Sequence, residues 1–315
     1  MTRDFIFDHA PFAACHASTI IEAADGSLLA AWFGGTAEGK PDVGIWLSRR
    51  AKAGPYAPWS PPVEVAREPG VPCWNPVLYR DVENTVWLFY KVGENPLCWT
   101  GAYLISRDCG ESWSAPVYLP AGLLGPIKNK PIPLSDGALL SPTSVESYRA
   151  WACWMERRSP AGEWSKHGPI VVPDQPMGVI QPTVVETEPR RVIALMRSTQ
   201  AIGRVCRAVS DDGGRSWSPA LPTPLPNPNS GIDAVLLRDG RIALAYNHTT
   251  DARTPLNVAV SSDEGLTWST PVVLESEPGE FSYPAIIQAA DGAIHVTYTH
   301  RRSRIAHVVT RPEEL

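Results

Sequence analysis

The groups in this sequence that can do chemistry are basic, acidic and phenolic side chains, with no metal-ligand or thiol motif among them. Arg197 ends an apolar run, Ala194-Leu-Met-Arg-Ser198, where an unpaired guanidinium is costly, so it requires a carboxylate from the protein or from a ligand. Lys128 and Lys130 flank Asn129 beside a proline-rich strand start, an arrangement that suits an anion. Glycosidases need two acid, base or nucleophilic groups about the scissile bond, and Glu38, Glu146, Asp233, Glu280 and Tyr283 all qualify for one of them. Elimination from a uronate would instead use basic groups against its carboxylate and His16 or Tyr283 to remove the α-proton. Asn227-Pro-Asn229-Ser230 and Asn247-His248 are rich in hydrogen-bonding groups, as a sugar site requires. Trp74 and Trp99 can serve either as core or as flat walls for sugar rings.

Composition narrows the classes. Net charge is −5 with the charges scattered, which argues against a nucleic-acid partner. The six cysteines are far apart without a C-x-x-C, and no metal spacing is visible, so neither metal nor cofactor is expected. No apolar run is long enough for a membrane helix, and the N-terminal residues lack a basic, then apolar, leader. The expectation is a cytoplasmic protein with free thiols and no membrane partner.

A repeat must position these residues. Ser106 to Trp113, Ser210 to Trp217 and Ser261 to Trp268 share S-x-D-x-G-x-x-W, and Trp59-Ser60 and Trp164-Ser165 keep its ending. The five tryptophans are 54, 51, 53 and 51 residues apart. Six turns run in phase, at Asp25-Gly26, near Glu83-Asn84, at Asp136-Gly137, near Pro189-Arg190, at Asp239-Gly240 and at Asp291-Gly292. Short aliphatic or β-branched runs flank each turn, so they are strands, and no helical period is sustained. Within the motif, Asp and Ser can bond turn N–H groups, Gly supplies positive φ and Trp packs over the turn, which is a structural role. The sixth repeat lacks its tryptophan marker. Its strands fall near 284–289, 293–299 and 304–310, and Asp4-Phe-Ile-Phe7 can add the outer fourth strand and close the ring. The expected fold is an all-β, six-bladed β-propeller, with residues 1–315 as one domain.

The S-x-D-x-G-x-x-W segments resemble the Asp-boxes of the sialidase superfamily, and the chain resembles its bacterial BNR-repeat members over nearly its full length. That resemblance implies three arginines for a carboxylated sugar, a Tyr/Glu nucleophile pair and an Asp acid/base. His16-Ala17-Ser18 stands where the first arginine would be. Arg197 corresponds to the second arginine and Arg253, in Arg253-Thr-Pro-Leu-Asn257, to the third. Asp42, in the Gly-rich loop Gly34 to Asp42, matches the acid/base. Phe281 falls at the tyrosine and Gln181 near its glutamate, with Tyr283 two residues along.

In a propeller, first-strand starts lead to one channel mouth. Aligned by their turns, these are His16, Trp74-Asn75, Asn129-Lys130, Gln181, Ser230 with Asp233, and Ser282-Tyr283. Buried polar groups without partners cost a few kcal/mol each, so a set this polar implies a ligand or water-filled pocket. The reading is a sialidase-like glycoside hydrolase of altered nucleophile acting on a terminal acidic or modified sugar. Asp42, Tyr283, Glu38 and His16 are the chemical groups, and Arg197, Arg253, Lys130, Gln181, Trp74, Asn75, Asn129 and Asp233 hold the substrate. A uronate lyase and a non-catalytic glycan-binding propeller are the alternatives.

Overall fold

The computed structural model describes residues 1–52 and 57–315. Its strands form six four-stranded antiparallel sheets, the blades of a six-bladed β-propeller. Five blades use four consecutive strands. In the sixth, the order is Thr2–Phe5, Arg304–Thr310, Ile294–His300 and Phe281–Gln288, so the N-terminal strand supplies the outer edge, as the missing C-terminal marker requires. Asp4 lies opposite His307 in that pairing.

The chain divides into two compact units, residues 1–124 with 284–314, and residues 125–283. The first holds the first two blades and most of the sixth. The second holds the third, fourth and fifth blades, together with Phe281, Ser282 and Tyr283.

The Asp-boxes do what their composition demands. Asp212 Oδ1 accepts the N–H groups of Arg215 and Ser216, both at 2.9 Å, and Ser210 Oγ accepts that of Gly214 at 2.8 Å. Gly214 has φ +83°, and a Cβ built there would sit 2.7 Å from Leu140 of the preceding blade. Only glycine therefore satisfies both the turn and the blade-to-blade contact. Trp217 closes the turn by donating its indole N–H to Gly214 O at 3.0 Å. Ser261, Asp263, Gly265 and Trp268 repeat these bonds, and Ser106, Asp108 and Gly110 repeat the serine and aspartate ones. Between blades the core is aliphatic, as where Leu140, Val179, Val184, Val192 and Met196 pack together.

One feature of the first strands places the site. Ala17, Asn75, Gln181 and Tyr283 all have positive φ, at 57°, 38°, 51° and 53°. The register slips beside the first three of them, between His16 and Thr19, Trp74 and Val77, and Ile180 and Thr183. A left-handed residue breaks the strict alternation of faces and re-aims its side chain. Such a conformation costs about 1–3 kcal/mol in a non-glycine residue and persists where the surroundings impose it, commonly at functional sites. Asn75, Gln181 and Tyr283 are each followed by proline, which discourages the ordinary helical basin for the residue before it.

Candidate functional site

In the unit of residues 125–283 the left-handed residues Gln181 and Tyr283 meet Arg197. The strand Arg191–Ser198 delivers Arg197 as partner of Ile180, one residue before Gln181. Arg197 Nη1 donates to Tyr283 Oη at 2.6 Å and to Gln181 Oε1 at 3.0 Å, and Arg197 Nε donates to Asn229 Oδ1 at 2.7 Å. Gln181 Nε2 completes the triangle, 3.3 Å from Tyr283 Oη. Arg197 is 8% exposed and every one of these partners is neutral; among the described residues it forms no ion pair. Its Nη2 is left without a protein acceptor among them.

Three basic side chains surround the phenol. The Arg197 and Arg253 guanidinium carbons lie 5.7 and 5.5 Å from the Tyr283 ring centre, and Lys128 Nζ lies at 5.8 Å. Arg253 is ion-paired with Glu280 at 2.7 Å, and Ser282 Oγ donates to the same Glu280 oxygen at 2.9 Å. Lys128 is 4% exposed and donates to Asn129 Oδ1 at 2.9 Å and to Ile232 O at 3.0 Å. Burial, foremost, holds its ammonium down at about 7, with Lys130 and Arg197 adding to the effect and Asp233 opposing it. Gly231 allows the packing, because a Cβ there would stand 3.2 Å from the Tyr283 ring and 3.4 Å from Lys128 Cε.

Asn129 braces the site from below, donating to Gln181 O at 3.1 Å and Pro182 O at 3.0 Å. Lys130, expected to contact an anion, pairs instead with Asp233 at 2.7 Å, and Thr183 Oγ1 donates to the other Asp233 oxygen at 3.0 Å. That pair neutralises itself. Lys128, two residues away, takes the place beside the phenol. Glu146, at the end of the strand Leu139–Glu146, has its carboxyl raised by burial, with Arg197 pulling the other way.

The other expected residues lie in the first unit. His16 is buried, with Nδ1 2.8 Å from Thr299 Oγ1 and its ring edge-on to Phe33. Phe33 meets Trp74, and Trp74 meets Trp99, with ring centres 6.1 Å apart in each pair. Trp74 is 7% exposed and donates to Gly93 O at 2.7 Å, so its faces are spent on packing rather than offered to a sugar ring. Asn75 is buried beside it, and Glu38 is ion-paired with Arg302 at 2.6 Å. Asp42 Oδ2 accepts Thr36 Oγ1 at 2.5 Å and Thr36 N at 2.8 Å. The Thr36 hydroxyl in particular holds the Asp42 carboxyl below the usual carboxylate range. That contact favours the ionised form of Asp42 in the ligand-free protein.

Phe281 and Tyr283 take different environments. Phe281 is fully buried and offers nothing to the site, whereas the left-handed turn at Tyr283 brings that hydroxyl to Arg197 and Gln181. The signal was present as polar-residue-then-proline in Asn75-Pro76, Gln181-Pro182 and Tyr283-Pro284.

Residues 26–296 match the BNR repeat-like domain. The chain belongs to that family. Among solved structures it is similar to a Hadza microbial sialidase, at 18% identity and TM-score 0.83 over 100% of this chain and 69% of that one. A Dyadobacter fermentans protein of unknown function matches at 18% identity and TM-score 0.80, covering 98% of this BNR-repeat chain and 97% of that one. The NanB sialidase of Streptococcus pneumoniae matches at 14% identity and TM-score 0.82, over 99% and 71% respectively. The likeness at these identities is one of fold. No curated protein matches the chain.

Proposed function

We propose that the protein is a sialidase-like glycoside hydrolase that binds a terminal acidic sugar by its carboxylate and attacks it with Tyr283. The observation that carries this reading is Arg197, a buried guanidinium hydrogen-bonded only to neutral groups, with Nη2 left over. A buried cation of this kind is compensated by an anion, and a planar carboxylate matches the guanidinium fork. A carboxylate on Arg197 puts the carbon that bears it beside Tyr283 Oη, which Arg197 already contacts. In a sialic-acid-type sugar that carbon is the anomeric centre, where an aryl oxygen can attack while the donors around it stabilise the charge it sheds or gains. Glu146 is assigned the proton-donor role, since burial shifts its carboxyl towards the protonated form.

The same contacts admit a second reading. Arg197 and Gln181 contact Tyr283 Oη, and the phenol's proton leaves to solvent before this oxygen acts either as nucleophile or as base. In a uronate the carbon bearing the carboxylate carries a hydrogen, and the same oxygen would remove it, giving elimination. A panel of sialosides and uronosides, with Arg197→Met and Tyr283→Phe as controls, tests both. Free acidic sugar supports hydrolysis, and an unsaturated product absorbing in the ultraviolet supports elimination. Turnover that survives both substitutions rules out the site.

A further inference from the structure

The unit of residues 125–283 contains a buried lysine that the proposed chemistry does not use. Lys128 Nζ lies 5.8 Å from the Tyr283 ring centre and donates to Asn129 Oδ1 and Ile232 O. These acceptors serve an amine and an ammonium equally well. The charged groups that act on it come from each neighbouring element. Asp233 starts the first strand of the fifth blade, Arg197 belongs to the fourth blade, and Lys130 follows in its own segment. Asp233 favours the ammonium, whereas Lys130, ion-paired with Asp233, and Arg197 oppose it. Arg253, on the far side of the phenol, is cancelled by Glu280.

Resting on the carboxylate-binding reading above, we propose that Lys128 is a specificity-determining positioning residue that takes up a proton when an anion occupies Arg197. In the empty site a second positive charge beside Arg197 is opposed both by burial and by repulsion. An anionic ligand cancels Arg197 and attracts the ammonium, so proton and ligand bind together by linkage. A neutral sugar brings neither effect. The site therefore discriminates by charge twice, once by contact at Arg197 and once through Lys128 beneath the phenol. The proton comes from solvent, and an N–H bond forms at Lys128 Nζ in each molecule whose lysine was uncharged before the anion bound.

The test is titration calorimetry of the full chain with N-acetylneuraminic acid and, separately, glucuronic acid, in HEPES and in Tris. These buffers release protons with different heats, so the difference in apparent enthalpy counts protons. With an empty-site value of about 7, binding takes up about 0.9 proton at pH 8 and about 0.1 at pH 6. Lys128→Met removes the buffer dependence at pH 8, and Lys128→Arg binds without proton uptake and keeps its affinity as pH rises. Wild-type affinity falls up to about tenfold per pH unit above neutrality wherever the bound lysine must be charged. Arg197→Met abolishes binding in every buffer. Binding without buffer dependence, or uptake that persists in Lys128→Met, overturns the role of Lys128 and leaves the carboxylate site standing. Failure of both acidic sugars to bind overturns the two together.

Discussion

Arg197→Met separates a ligand-binding arginine from a structural one. The wild-type side chain is 8% exposed and makes hydrogen bonds of 2.6, 3.0 and 2.7 Å to Tyr283, Gln181 and Asn229. If those bonds served the fold, removing them would cost stability, at about 1 kcal/mol or more for each charge-assisted bond. Against this stands the several kcal/mol spent on holding an ion away from water, which methionine recovers while filling similar volume. The three former partners can turn to water in a pocket. The stability change should thus stay within about 1 kcal/mol of zero. Truncating the charged partner of a desolvated ligand carboxylate costs about 2–5 kcal/mol, or a roughly 30- to 5,000-fold loss of affinity. Chemical denaturation gives the first quantity and calorimetric titration with N-acetylneuraminic acid the second. A variant that loses more than about 3 kcal/mol of stability while its affinity for carboxylated sugars is unchanged would refute the reasoning, because Arg197 would then be a brace for the fifth and sixth blades' loops.

Gly231→Ala forces the Tyr283 ring or the Lys128 stem aside by a few tenths of an ångström. It should lower turnover by more than about tenfold with an unchanged far-ultraviolet spectrum, as a rate assay beside circular dichroism will check. Glu146→Gln should reduce turnover by about 10²–10⁴-fold, whereas Asp42→Asn, which keeps an acceptor for Thr36, should stay within a few-fold. Equal losses in the two variants would return the acid role to Asp42. The Asp-box carboxylates set the acid limit of the fold: hydrogen bonds, chiefly from Ser112 and Thr267, hold Asp108 and Asp263 down to about 2. A carboxyl whose folded value lies below its unfolded one stabilises the fold fully above about pH 4, and that contribution is lost as pH falls towards 2. Urea midpoints measured across that window should fall steadily in the wild type and less steeply in Asp263→Asn.

The blade architecture was legible in the amino-acid order because it is made of local devices. An Asp-box closes within eight residues, its serine and aspartate bonding N–H groups two to four positions away, so spacing alone reveals it. The six in-phase turns counted the blades, and the missing sixth tryptophan marker pointed to the N-terminal strand Thr2–Phe5 at the outer edge. Arg197, Gln181, Tyr283 and Arg253 were found as types from the same periodicity and from the resemblance it supports.

Which charges remain available was decided only by tertiary contacts. Lys130 and Lys128 are equivalent by sequence, yet Lys130 meets Asp233, 103 positions away, while Lys128 is buried against Tyr283. Asp42 resembles an acid, but its ionisation follows from the Thr36 hydroxyl that the folded loop turns onto it. Tyr283 reaches Arg197 through a left-handed strand start, which the proline after it hinted at but which only the folded strand fixes. Ionisation and orientation depend on neighbours brought together across the chain, and the energy of those encounters exists only once the blades have packed.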